Sequence, residues 1–188
     1  MGTTILKVNI SELTPQFIED LKGDLGQDAQ VEIRVQESKH GQGLFSENGF
    51  WEIIDLLDWS QRDRSAVIAP AAKALSQMHL PAIFLFQDIL SEKLFYLDTR
   101  RHAEAYKQKQ ADGSFSVDDF LYTRCAVIAE GKDYYEKILN NPVEMPADID
   151  FEHLLGLADE AFKIKTGKEL DYLPLFNYET HSNEAGWK

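Results

Sequence analysis

Arg124 is the residue whose position most needs a chemical explanation. It lies within FLYTRCAVI (residues 120–128), one helical turn from both Leu121 and Ile128, so a helix through this stretch carries the guanidinium on or beside its apolar face. An unpaired charge there costs several kcal/mol, so a carboxylate partner is expected, with Asp55 or Asp118 first and Asp98 third. Two roles stay open. Arg124 is either half of a buried ion pair that fixes helix packing, or a clamp whose planar fork holds a small anion in a cleft lined by Trp51 and Tyr122.

Asp98 and His102 stand four apart, so one continuous helix would put carboxylate and imidazole on one face, where they could share a metal or work as an acid and base pair. Glu104 or His153 would have to add ligands. No HExxH, CxxC or DxDxDG pattern accompanies the pair, so a solvated helix face explains it better and no metal or cofactor is expected. Cys125, the single cysteine, sits in an apolar stretch and reads as a small core residue, not as a nucleophile. Gly41, Gly43 and Gly49 are not followed by the GKS or GKT of a phosphate loop.

These side chains must be placed by two kinds of segment. Residues 4–10 and 30–36 alternate apolar and polar, which predicts two strands. Between them Thr14 and Pro15 open a helix with a stripe of Phe17, Ile18, Leu21 and Leu25. The prediction is a small β-α-β unit over residues 1–36, whose two-strand sheet needs completing. The aromatic segment at residues 172–178, or a second copy of the chain, could do that. A polar, glycine-bearing stretch at 37–48 reads as a linker.

From residue 49 to residue 188 the period is helical. Phe50, Trp51, Ile54 and Leu57 mark one helix; residues 67–78 mark a second, with Pro70 kinking it or lying in its first turn; Pro81 opens a third that leaves little polar surface. Ser116 with Asp119 starts a fourth, Gly131 interrupts it, Asn141 and Pro142 stop it, and a last helix runs from Asp148 or Asp150 to Gly167. The fold class expected is mainly α (α+β): a multi-helix body with a small N-terminal β-α-β unit.

The run FWEIID (residues 50–55) followed by SVDDFLYTRCAVIAEGKDYY (residues 116–135) resembles the bacterial family called domain of unknown function 4240. Phe50, Trp51, Ile54 and Asp55 match its first motif. Ser116, Asp118, Phe120, Tyr122, Arg124, Ile128, Gly131 and Tyr135 match its second, and the likeness covers about residues 49–165. The resemblance implies a helical domain and no assigned activity.

Charge narrows the function classes. The chain holds 32 acidic and 19 basic residues, a formal charge of -13, and the one basic cluster is Arg100, Arg101, Lys107 and Lys109. Such a balance repels phosphate backbones, so no nucleic acid is expected. No apolar run approaches ~18 residues and the lone cysteine suits a reducing compartment, so the expectation is a cytoplasmic protein with no membrane partner. The reading favoured is a non-catalytic protein-interaction or regulatory module that binds a protein partner or itself, as a homodimer through residues 1–36. The alternative is an enzyme or small-anion binder with its site between the FWEIID and SVDDFLYTRC helices, built on Trp51, Asp55, Asp118, Tyr122 and Arg124.

Overall fold

A computed structural model describes residue 6, residue 8 and residues 13–25, 45–111 and 113–188, and the chain divides into two units, Met1–Gly41 and Gln42–Lys188. In the first unit, α1 spans Pro15–Leu25. It starts where the sequence places it: the Thr14 hydroxyl accepts from the Phe17 amide at 3.1 Å, and Pro15 supplies a residue that needs no hydrogen-bond acceptor for its nitrogen. No residue of α1 is buried, and Ile18 and Leu25 are exposed.

The two strands expected around α1 lie almost wholly outside the described residues. Leu6 and Val8, which are described, are exposed and belong to no strand, and no strand occurs among the described residues. The β-α-β expectation is therefore not supported, and the fold is mainly helical.

The second unit is built from helices that begin on side-chain caps. Ser46 caps α2 (Glu47–Ile54), so that helix takes in the last residues of the stretch read as a linker. Asp63 caps the one-turn α3 (Arg64–Val67), and Pro70 then lies in the first turn of α4 (Ala69–Gln77). Next come α5 (Leu80–Leu97), with Pro81 in its first turn, and α6 (Arg100–Lys109), capped by Thr99. Ser116 caps α7 (Val117–Ala129) by accepting from the Asp119 amide at 3.2 Å, and α8 covers Lys132–Asn140.

The last helix begins later than the sequence suggests. Residues Glu152–Gly156 form a 3-10 turn, and α9 runs over Leu157–Thr166, ending at Gly167 with φ 72°. Residues 168–188 carry no helix.

Helix α5 is the element the others surround, packing against α2, α4, α7 and α9. Its apolar residues Ile83, Phe86, Leu90, Leu94 and Leu97 are fully buried, and so close to fully are Gln87, Asp88, Ser91 and Lys93. A helix buried on nearly every side must satisfy those polar groups internally. The chain after α9 does part of this. Asp88 accepts from the Tyr172 hydroxyl at 2.8 Å and from the Leu175 amide at 3.0 Å. The aromatic segment expected to complete a sheet thus lies along α5, where Phe84 meets Tyr172 and Phe95 meets Phe176.

Between α7 and α8 the chain turns at Gly131, with φ 98° and ψ 174°. Only glycine adopts that combination without strain. Replacing Gly131 with Ala is expected to lower the urea unfolding midpoint by the equivalent of about 1–3 kcal/mol; an unchanged midpoint would show that the turn relaxes freely.

Candidate functional site

The last four carbonyls of any α-helix lack partners within the helix, and at the end of α5 they are met from outside it. Arg124, in the middle of α7, donates from Nη1 to the Leu94 carbonyl at 2.8 Å. The Phe95 carbonyl accepts from the Asp98 amide at 3.0 Å and from the Asn183 side chain at 3.1 Å. A cation at this position also opposes the negative end of the α5 dipole.

Arg124 has 0% of its surface exposed. Its Nη2 donates to the Thr180 hydroxyl at 2.9 Å, which in turn donates to the Val117 carbonyl at 2.7 Å. The guanidinium lies 5.0 Å from the centre of the Phe120 ring, one turn earlier on α7, a cation–π contact made stronger by the absence of water. Only Nε lacks a partner. Burial pulls the Arg124 pKa down, and the first charge opposing that shift is Asp98. A guanidinium nevertheless stays charged in any protein environment.

Asp98 ends α5 and is also fully buried. One of its oxygens accepts from the Trp187 indole at 2.9 Å and the His181 amide at 3.1 Å; the other accepts from the Asn183 amide at 3.1 Å and the Ser182 hydroxyl at 3.4 Å. The carboxylate therefore holds the chain end by four donors while balancing Arg124 at longer range. Among the described residues no carboxylate lies within ion-pair distance of Arg124.

The remaining residues expected near Arg124 are distributed elsewhere. Asp55 is exposed at the end of α2, and Asp118 is exposed in the first turn of α7. Trp51 joins a different group. Its ring packs on Phe50 and Tyr135, with the Lys93 ammonium 5.2 Å from its centre and 5.1 Å from that of Tyr135. Lys93 is paired with Glu47 at 2.6 Å, and that contact draws the Glu47 pKa down. Three helices, α2, α5 and α8, are tied by this aromatic sandwich.

Tyr122 is half-buried and lines a cleft of about 460 Å³ together with Asp119, Asp148, Asp150 and Glu152. Burial raises the Tyr122 pKa, with Asp118, Glu152 and Asp119 adding to it. This cleft repels anions, and the buried Arg124 guanidinium does not line it. Cys125 is fully buried and burial pushes its thiol up to about 12, which removes the thiolate a nucleophile requires.

Asp98 and His102 do not share a helix, because Asp98 closes α5 and Thr99 caps α6. The His102 Nε2–H donates to the Ile138 carbonyl at 3.2 Å, which leaves Nδ1 to accept from the Thr99 hydroxyl at 2.7 Å. Burial pulls the His102 pKa down and favours that neutral form. Among the described residues no group of three or more His, Cys, Asp or Glu side chains is placed to hold a metal ion, and no helix is long and apolar enough to cross a membrane.

Sequence reasoning singled out Arg124 but missed Lys93, Glu47, Thr180, Asn183 and Trp187. For Lys93 a signal existed, a lone cation inside the apolar run of α5. For the chain end there was none, because residues 168–188 have no periodicity.

A family model described as a protein of unknown function (DUF4240) matches residues 45–164. No curated protein and no solved structure gives a significant match.

Replacing Arg124 with Met fills the space while deleting both charged hydrogen bonds and leaving Asp98 uncompensated. The expected loss is about 3 kcal/mol in urea denaturation. A change within about 0.5 kcal/mol would show that Arg124 is not a structural element.

Proposed function

The chain belongs to the DUF4240 family of proteins of unknown function, and from that premise we propose that it is a non-catalytic interaction or regulatory module. The observation that carries this reading is the complete enclosure of Arg124, whose guanidinium is spent on the Leu94 carbonyl and Thr180 beneath Phe120. An anion clamp or active site built on that residue needs solvent access, which the alternative reading requires and this arrangement withholds. Several of the residues through which the chain resembles its family serve the fold: Ser116 as a cap, Gly131 as a turn, Trp51 and Tyr135 around Lys93, Phe120 against Arg124.

The partner in this reading is a protein, with the cytoplasm as its place and a second copy of the chain as the first occupant. Support comes from α1, whose stripe of Phe17, Ile18, Leu21 and Leu25 contributes no buried residue, while Leu6 and Val8 are exposed as well. An amphipathic helix gains most of its stability from covering such a stripe. Self-association through residues 1–36 would do so.

Light scattering at micromolar concentration tests this. The expected mass is twice the 21.5 kDa of the chain, returning to one chain mass when Ile18 and Leu25 are both changed to Asp. A single-chain mass for the unaltered protein at tens of micromolar would overturn the homodimer.

A further inference from the structure

The end of the chain forms, with α6, a second cleft whose chemistry is opposite to that of the acidic one at Tyr122. It is a shallow, open depression of about 370 Å³. One wall is aromatic. The His181 and Trp187 ring centres lie 4.1 Å apart, and Phe115 stands 6.1 Å from the first and 6.4 Å from the second. The other wall is the face of α6 that carries Arg100, Glu104 and Lys107, spaced so that all three fall on one side of the helix.

Two features separate this cleft from an ordinary surface groove. Its rings are held from below: the Trp187 indole and the His181 amide both donate to the same oxygen of buried Asp98. His181 is held there at φ 77°, the one positive φ outside glycine among the described residues. Such a conformation persists only where its surroundings impose it. Its cations are also free. Arg100 and Lys107 are exposed, and neither has a carboxylate within ion-pair distance among the described residues, although the chain carries a net charge of -13. In so acidic a molecule, unpaired cations gathered at the mouth of an aromatic cleft form a local attraction for negative charge.

We propose that this cleft binds a small planar aromatic ring bearing a phosphate or a carboxylate. The ring packs against the outer surface of the His181, Trp187 and Phe115 cluster by the offset or edge contacts that aromatic rings favour. The anionic group meets the Arg100 fork and the Lys107 ammonium. Glu104, between them, accepts from a hydroxyl or amino group on the ligand and repels a polyanion. The acidic surface outside the cleft excludes nucleic-acid strands, which limits the ligand to a small molecule.

The test uses the full chain, titrated by calorimetry with adenosine monophosphate and with indole acetate, and with adenosine and inorganic phosphate as half-ligands. Saturable binding of at least one aromatic anion is expected, with adenosine and phosphate each weaker by about 10-fold or more. Binding of adenosine monophosphate alone assigns a phosphate ligand, and binding of indole acetate alone assigns a carboxylate. Because both side chains are exposed, the double change Arg100→Ala and Lys107→Ala should leave the urea midpoint unchanged and weaken binding by about 10-fold per cation lost. Failure of both aromatic anions to bind, undiminished binding to the double variant, or equal binding of a half-ligand overturns the proposal.

Discussion

The structure of residues 42–188 depends on how the buried end of α5 is satisfied. The Leu94 carbonyl lies in the buried part of that end, and leaving it unpaired costs about 1–3 kcal/mol. Arg124 answers this from α7, and Asp98 answers Arg124 with a carboxylate whose oxygens are taken by donors from the chain end. Asp98 is stabilised by its four donors, and Arg124 by the Leu94 carbonyl, Thr180 and the Phe120 ring, with Asp98 as a countercharge at longer range. Removing water from both strengthens the attraction between them and raises the cost of losing either.

This arrangement explains why the irregular residues 168–188 are ordered against the helices. They contribute few apolar side chains to the core, and Leu173 and Leu175 remain exposed. What holds them is a set of hydrogen bonds to buried carboxylates ten residues apart on α5, a span of about 15 Å along its axis. The Arg100 backbone N–H donates to the Gly186 carbonyl at 3.0 Å, joining the start of α6 to the same segment. Gly186 fits so closely there that a Cβ would lie 2.9 Å from Thr99 and from Asn183. The family match ends at residue 164, so the groups that complete Asp98 and Arg124 in this chain lie outside the matched region.

Much of the helical body was legible because capping and hydrophobic period are local. Ser116 and Gly131 mark their boundaries in the sequence, as Thr14 does for α1 in the other unit, and each does so in the structure. The burial of Arg124 was legible for the same reason, from its place on an apolar face. Its partners were not, since a backbone carbonyl on α5 and a hydroxyl 56 residues onward leave no trace in spacing. Asp98 and His102 are not the solvated face of one helix that the spacing suggested: both are buried, and a helix break marked by the N-cap residue Thr99 falls between them. The strands expected from the N-terminal alternation fall almost wholly outside the described residues, and a period of two does not by itself supply the neighbouring strand that a sheet needs.

The central claim is that residues 168–188 fold as one cooperative unit with α5 through Asp98. Native-state hydrogen exchange of the His181 and Asn183 amides tests it directly, because both donate to that carboxylate. If the claim holds, these amides open with the same free energy as the core amides of Leu90 and Leu94 on α5, which is that of global unfolding. Exchange through a local opening about 3 kcal/mol or more below that value would contradict it.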